Sequence, residues 1–161
     1  MDIGAKEIIL ILFGFVLAQA PLWADRRRRI RSHWAALRVE ILLCIENATT
    51  LLHDGYMAPL YRLPTTAFEK AFPLLLVEGH ATEEDFMLLE RFAAKVQEVN
   101  RGLEYAAACA QRDDLENLKG EYSRNRIKAS ALVEGDKTSS GLAQQAMDVV
   151  SSKLALGWWR L

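Results

Sequence analysis

The first pattern in the chain is an apolar segment over residues 8–24, in which Gln19 is the only polar side chain and no side chain is charged. Hydrocarbon offers backbone groups no hydrogen-bond partner, so a segment of this composition enters a bilayer as a helix. Its length lies at the short end of the ~17–25 residues that a spanning helix needs. We therefore predict a single transmembrane anchor over residues 1–25.

A helical repeat of apolar residues follows over residues 32–54. Its apolar positions alternate at spacings of three and four, which is the pattern of one buried helix face. They are Trp34, Leu37, Ile41, Cys44, Ala48 and Leu51, whereas Arg38, Glu40, Glu46 and Asn47 fall mostly on other faces. No strong helix breaker separates this segment from the anchor, so the two can form one continuous helix.

The same spacing predicts a long helix over residues 82–111. Thr82 can cap it, and three acids in its first turn are favoured by the helix dipole. Its apolar stripe is wider than a coiled-coil seam, as the helix of a globular bundle requires. The stripe comprises Phe86, Leu89, Phe92, Ala93, Val96, Val99, Leu103, Ala107 and Ala110, with Asn100 as its one polar member. We expect this helix to pack against helix 32–54.

Shorter elements complete the predicted body. Residues 55–64 form an apolar loop, and Thr66 and Glu69 have the spacing of a capping box for a helix to about Val77, bent by Pro73. Further helices are predicted from Asp113 or Asp114 to about Glu134, with Leu115 among its buried residues, and over residues 142–156. No useful strand alternation occurs. The predicted fold is all-α: a single N-terminal transmembrane helix, a juxtamembrane basic segment at 26–31, and a small antiparallel helical bundle at 32–161.

The apolar segment has two other interpretations, a secretory signal peptide and an interfacial amphipathic helix. Ala18 and Ala20 have the small-x-small spacing of a cleavage site. The residues before the segment carry no positive excess, however, and Pro21 would directly follow the cut. The anchor is the favoured prediction.

Charge is distributed unevenly along the chain. Residues 25–38 hold six basic and one acidic side chains, a net of +5, whereas residues 39–161 hold 13 basic and 18 acidic ones, a net of −5. Basic residues beside a span favour the cytoplasmic side, so we predict an N-terminus outside and a cytoplasmic bundle. The same block suits anionic lipid headgroups. The residues assigned to topology and headgroup contact are Arg26, Arg27, Arg28, Arg29 and Arg31. A basic body for nucleic acid is lacking, and we predict no nucleic-acid partner.

Candidate catalytic chemistry is sparse. His33, His53 and His80 each stand alone within their turn, without the spacing of a metal pair. Cys44 and Cys109 lie in apolar helical surroundings, where a reduced cysteine behaves as a small hydrophobe. Phosphate-binding and nucleophile-elbow motifs are absent. We predict no catalytic residue, no metal site and no cofactor.

Two segments are candidates for partner contact. The loop holds Tyr56, Tyr61 and Arg62, which are residue types enriched in binding hot spots. The C-terminus holds Trp158 and Trp159, which could pack on the bundle, insert at the membrane interface or dock into a partner. For the loop, packing onto the bundle is the simpler alternative. Asn100 is either locally bonded or a buried amide that fixes the register of its helix.

Two functional hypotheses remain. The first is a membrane-tethered helical adaptor or a regulatory or structural subunit, whose partners are membrane lipids and another protein or a second copy. The second is a membrane-associated enzyme or small-ligand sensor with a pocket inside the bundle. A concave pocket with two or more convergent ionisable groups would favour the second hypothesis.

Overall fold

The computed structural model describes residues 4–54, 62–78, 81–135 and 140–156, and these residues contain helices but no strand. The helices in chain order are α1 (Ala5–Asp54), α2 (Thr66–Lys70), α3 (Phe72–Val77), α4 (Glu83–Gln111), α5 (Leu115–Val133) and α6 (Leu142–Ala155). The chain divides into two units, Met1–Ser32 and His33–Leu161. The predicted all-α fold, with an apolar N-terminal helix and a helical bundle, is confirmed.

The first unit consists of the N-terminal part of α1. Residues 7–23 are all exposed, and α1 contains a stretch long and apolar enough to cross a membrane. Near the end of this stretch, the guanidinium carbon of Arg27 lies 3.6 Å from the centre of the Trp23 ring, a cation–π contact. Arg26, Arg28, Arg29 and Arg31 are exposed. The apolar segment and the arginines are thus continuous on one helix, as the lack of a breaker predicted.

In the second unit, the predicted apolar face of α1 is buried. All six of its residues from Trp34 to Leu51 are at most 1% exposed. Glu40 was predicted to fall on another face, but its side chain is only 6% exposed. Glu40 follows Leu37 by three positions and precedes Ile41, so it lies at the margin of the buried face. Its carboxylate has backbone partners there, described below.

Helix α4 is the centre of the bundle and packs against α5 and α6. Thr82 caps it as predicted, with the Thr82 hydroxyl accepting from Asp85 N–H and the Asp85 carboxylate accepting from Thr82 N–H. Residues pair in opposite order along α4 and α5, with Gly102 facing Asn125 and Glu98 contacting Lys128. The two helices are therefore antiparallel. A Cβ at Gly102 would overlap the Asn125 side chain, so glycine permits their close approach.

The prediction for the buried face of α5 is wrong in part. Leu115 is 62% exposed, whereas Glu121 and Asn125 are buried together with Ala129 and Leu132. The close crossing at Gly102 orients this face of α5 toward α4. Asn125 is completely buried and its two amide atoms have no hydrogen-bond partner in the described part of the chain.

The predicted helix after the loop is divided into α2 and α3 at Ala71. Pro73 lies in the first turn of α3, where its missing N–H leaves no intrahelical hydrogen bond unmade. Phe68 on α2 and Phe72 and Leu75 on α3 are buried. The division places two short helices, rather than one bent helix, beside α4.

Candidate functional site

The residues that precede α2, 62–65, are held against α4 by the side-chain amide of Asn100. Asn100 is 2% exposed, its Nδ2 donates to the Leu63 carbonyl at 2.8 Å, and its Oδ1 accepts from Leu63 N–H at 2.8 Å. Both backbone polar groups of Leu63 are thereby satisfied while its side chain is buried. Asn100 is thus a buried amide, and its partner lies in the non-helical segment before α2 rather than on a neighbouring helix.

The same segment contacts α1 on another side. Asn47 Nδ2 donates to the Arg62 carbonyl at 3.4 Å, and Cys44 Sγ lies 3.4 Å from the Pro64 carbonyl oxygen. Residues 62–64 therefore bond to both α1 and α4. Packing of the apolar loop onto the bundle is confirmed for Leu63, whose side chain is buried.

Glu40 of α1 caps α2. Its two carboxylate oxygens accept from Ala67 N–H at 2.6 Å and from Phe68 N–H at 3.0 Å, which are free donors in the first turn of α2. The predicted capping box of Thr66 and Glu69 is wrong. The N-cap is Thr65, whose hydroxyl donates to the Glu69 carboxylate at 2.9 Å rather than accepting from the backbone. A carboxylate from α1 supplies the acceptor instead.

A groove lies between α4 and the α2–α3 pair, and we call it the phenylalanine groove. Its volume is about 340 Å³. The rings of Phe72 and Phe86 stack there with centroids 5.4 Å apart, and the Phe68 and Phe92 centroids lie 5.3 Å apart. The lining residues are Thr65, Phe68, Glu69, Phe72, Pro73, Leu76, Phe86, Glu90, Ala93, Val96 and Gln97.

The chemistry of the phenylalanine groove follows from this lining. Apolar and aromatic side chains form most of its wall, and the exposed carboxylates of Glu69 and Glu90 are its ionisable groups. Such a surface suits an apolar or aromatic group with a neighbouring cation, because the ring bodies exclude water while the carboxylates attract positive charge.

A second cleft, of about 450 Å³, lies between the end of α1 and α5. Arg126 donates to the Leu52 carbonyl at 2.9 Å, His53 Nδ1 is 2.9 Å from the Thr49 carbonyl oxygen, and Glu134 accepts from Ser130. These three ionisable side chains are exposed. The bond from Arg126 to Leu52 joins α5 to α1, whereas the other two contacts lie within α1 and at the end of α5.

The predicted partner-contact residues are not brought together in the described ranges. Arg62 is exposed and pairs with Glu104 at 2.9 Å. Tyr56, Tyr61, Trp158 and Trp159 lie outside the described residues, so their proposed contacts stay predictions. The phenylalanine groove was not predicted from the sequence. Its sequence signal was the i, i+4 pair Phe68 and Phe72 placed after the apolar loop.

Burial argues against a nucleophilic role for the two cysteines. Both are buried and free of disulfide bonds. Burial, together with the negative charge of Glu40, raises the pKa of the Cys44 thiol from 9.0 to about 12, so it stays protonated at neutral pH. Among the residues outside the undescribed gaps, no group of three His, Cys, Asp or Glu side chains is positioned to hold a metal ion.

Three comparisons with known proteins found no match. No model of a known protein family matches the chain, and neither does any curated protein or solved structure.

Proposed function

We propose that the chain is a membrane-tethered helical adaptor or regulatory subunit, anchored by the first unit and binding its partner through the phenylalanine groove. The observation that carries the proposal is the exposure of the N-terminal part of α1. The exposed large apolar residues there are Ile8, Ile9, Leu10, Ile11, Leu12, Phe13, Phe15, Val16, Leu17, Leu22 and Trp23.

The exposed apolar surface of the first unit is too large to be left in water. Removing one such side chain fully from water contributes about 1.5–3 kcal/mol. Eleven of them together exceed the whole stability of an ordinary domain, about 5–15 kcal/mol. The uncharged stretch of 17 residues, 8–24, rises ~25 Å at 1.5 Å per residue, which lies at the short end of what the hydrocarbon thickness of ~30 Å requires. A lipid environment is therefore the proposed cover for this surface.

The orientation of the anchor is tested with topology reporters. If the arginines lie at the inner face, a cytoplasm-active reporter fused after Leu161 will be active and an export-dependent one will be silent. Replacing Arg26, Arg27, Arg28, Arg29 and Arg31 with glutamine should reduce this bias. Activity of the export-dependent reporter alone would place the bundle outside and contradict the proposal.

The adaptor role is tested by recovery of a partner from native membranes. The chain offers a matched pair of substitutions on α4: Ala93 is half-buried in the phenylalanine groove, whereas Ala94 is exposed and outside it. We expect Ala93→Arg to reduce the amount of co-purified protein several-fold and Ala94→Arg to leave it unchanged. Recovery of the chain alone at every detergent strength would refute the proposal.

A small-ligand sensor or enzyme is the second candidate, supported by the convergence of His53, Arg126 and Glu134 at the second cleft. The adaptor is favoured because His53 and Arg126 contact backbone carbonyls of α1 and all three side chains are exposed. A chemical site ordinarily buries its reacting groups to strengthen their interactions.

A further inference from the structure

The C-terminal end of α6 is held close to one end of the phenylalanine groove. Lys153 Nζ lies 2.6 Å from Asp85 Oδ2, and the two side chains are 13% and 17% exposed. Burial opposes ionisation of Asp85, but hydrogen bonds from Lys153 and Thr82 outweigh it and hold the pKa of this carboxyl below its usual value. Phe86, which follows Asp85 directly, lines the groove.

The length of chain beyond α6 is short. The described part ends at Leu156, and the five residues after it are Gly157, Trp158, Trp159, Arg160 and Leu161. Five extended residues span at most about 17 Å. The segment starts four residues after Lys153 and can therefore reach the N-terminal end of α4, where Asp85 lies. The phenylalanine groove begins there.

The chemistry of the five residues complements that of the groove. Two indole rings match the aromatic wall formed by Phe68, Phe72 and Phe86, and such ring pairs contribute beyond the area they bury. Arg160 is the only charged side chain of the segment, and the groove carries the carboxylates of Glu69 and Glu90. Tethering supplies an effective concentration on the order of millimolar, so even a weak intrinsic affinity would keep the groove occupied.

We propose that the phenylalanine groove binds the chain's own C-terminal segment, residues 157–161, with Trp158 or Trp159 against its aromatic wall and Arg160 beside Glu90. The contact is intramolecular. A partner that uses the groove must then displace the segment. The readouts below require no partner, and this proposal can therefore fail while the adaptor proposal stands.

The test is photo-crosslinking of the full chain in lipid nanodiscs. With p-benzoylphenylalanine in place of Trp159, we expect an intramolecular product whose adduct maps to residues 65–76 or 86–97. Ala93→Arg should reduce its yield several-fold and Ala94→Arg should not. Adducts to lipid or to a second copy, absence of product, or equal yields in the two variants would each overturn the proposal.

A charge exchange tests the same contact. Glu90 is exposed, so its substitution does not put folding at risk. Glu90→Arg should reduce the crosslinking yield, and Arg160→Glu in the same chain should restore it. Truncation after Leu156 should also lower the melting temperature of the bundle by several degrees, because the groove loses its cover. Failure of the second substitution to restore the yield would refute the pairing of Arg160 with Glu90.

Discussion

Replacement of Asn100 by alanine is expected to destabilise the bundle by about 3–4 kcal/mol. The substitution removes the donor and the acceptor that satisfy the Leu63 backbone, and each polar group left buried without a partner costs about 1–3 kcal/mol. For a bundle of this size the corresponding fall in melting temperature is about 10 °C. Thermal unfolding of the full chain, followed by circular dichroism, measures the effect.

Two further variants separate the effect of the Asn100 hydrogen bonds on stability from the effect of its volume. Asn100→Leu keeps the size but not the hydrogen bonds, and we expect it to remain nearly as destabilised as the alanine variant. Arg101→Ala is the control, because Arg101 is the exposed neighbour on the same helix. Wild-type stability of the leucine variant would mean that the two bonds to Leu63 contribute nothing to the fold.

The long helices could be predicted because their signals are local. Thr82 and Asp114 cap α4 and α5 through residues three positions away, and the apolar face of α1 repeats with the helical period. The predicted starts and ends of α4, α5 and α6 accordingly lie within one or two residues of those observed. Spacing along the chain contains all the information that these features need.

The groove could not be predicted because its supports join residues distant in sequence. Glu40 bonds to residues 27 and 28 positions away, and Asn100 to one 37 positions away. A local pattern assigned the cap of α2 to Thr66 and Glu69, whereas the observed acceptor is on α1. The buried face of α5 was likewise set by the close approach of Gly102 and Asn125, which no periodicity encodes.

Asn100 on α4 and Glu40 on α1 both hold α2 and the residues before it in place. Asn100 holds the segment before α2 against α4, and Glu40 holds the first turn of α2 against α1. Since Phe68 and Phe72 reach the groove only when α2 and α3 are in place, both buried polar residues support the groove wall. Their loss should therefore affect binding as well as stability.

Replacement of Glu40 by alanine is expected to destabilise the bundle by about 2–4 kcal/mol, because two N–H donors of α2 lose their acceptor in a buried setting. The two proposals above, in which a partner and the C-terminal segment use the groove, predict that partner recovery and the yield of the intramolecular crosslink will fall as well. Glu40→Gln keeps one acceptor oxygen, so its free energy of unfolding should lie between those of the wild type and the alanine variant. Glu46→Ala is the control, because Glu46 is exposed on the same helix.

Cys44 provides a readout that a general loss of stability does not imitate. Burial and the Glu40 charge raise the pKa of its thiol to about 12, so the unfolded chain releases this proton at a lower pH than the folded chain does. The contribution of Cys44 to stability is therefore constant below pH 9.0 and falls between there and about pH 12. Removal of the Glu40 charge should lower the pKa of the Cys44 thiol, so the fall in stability should end at a lower pH in Glu40→Gln than in the wild type. An unchanged pH profile in Glu40→Gln would contradict the placement of its carboxylate beside Cys44.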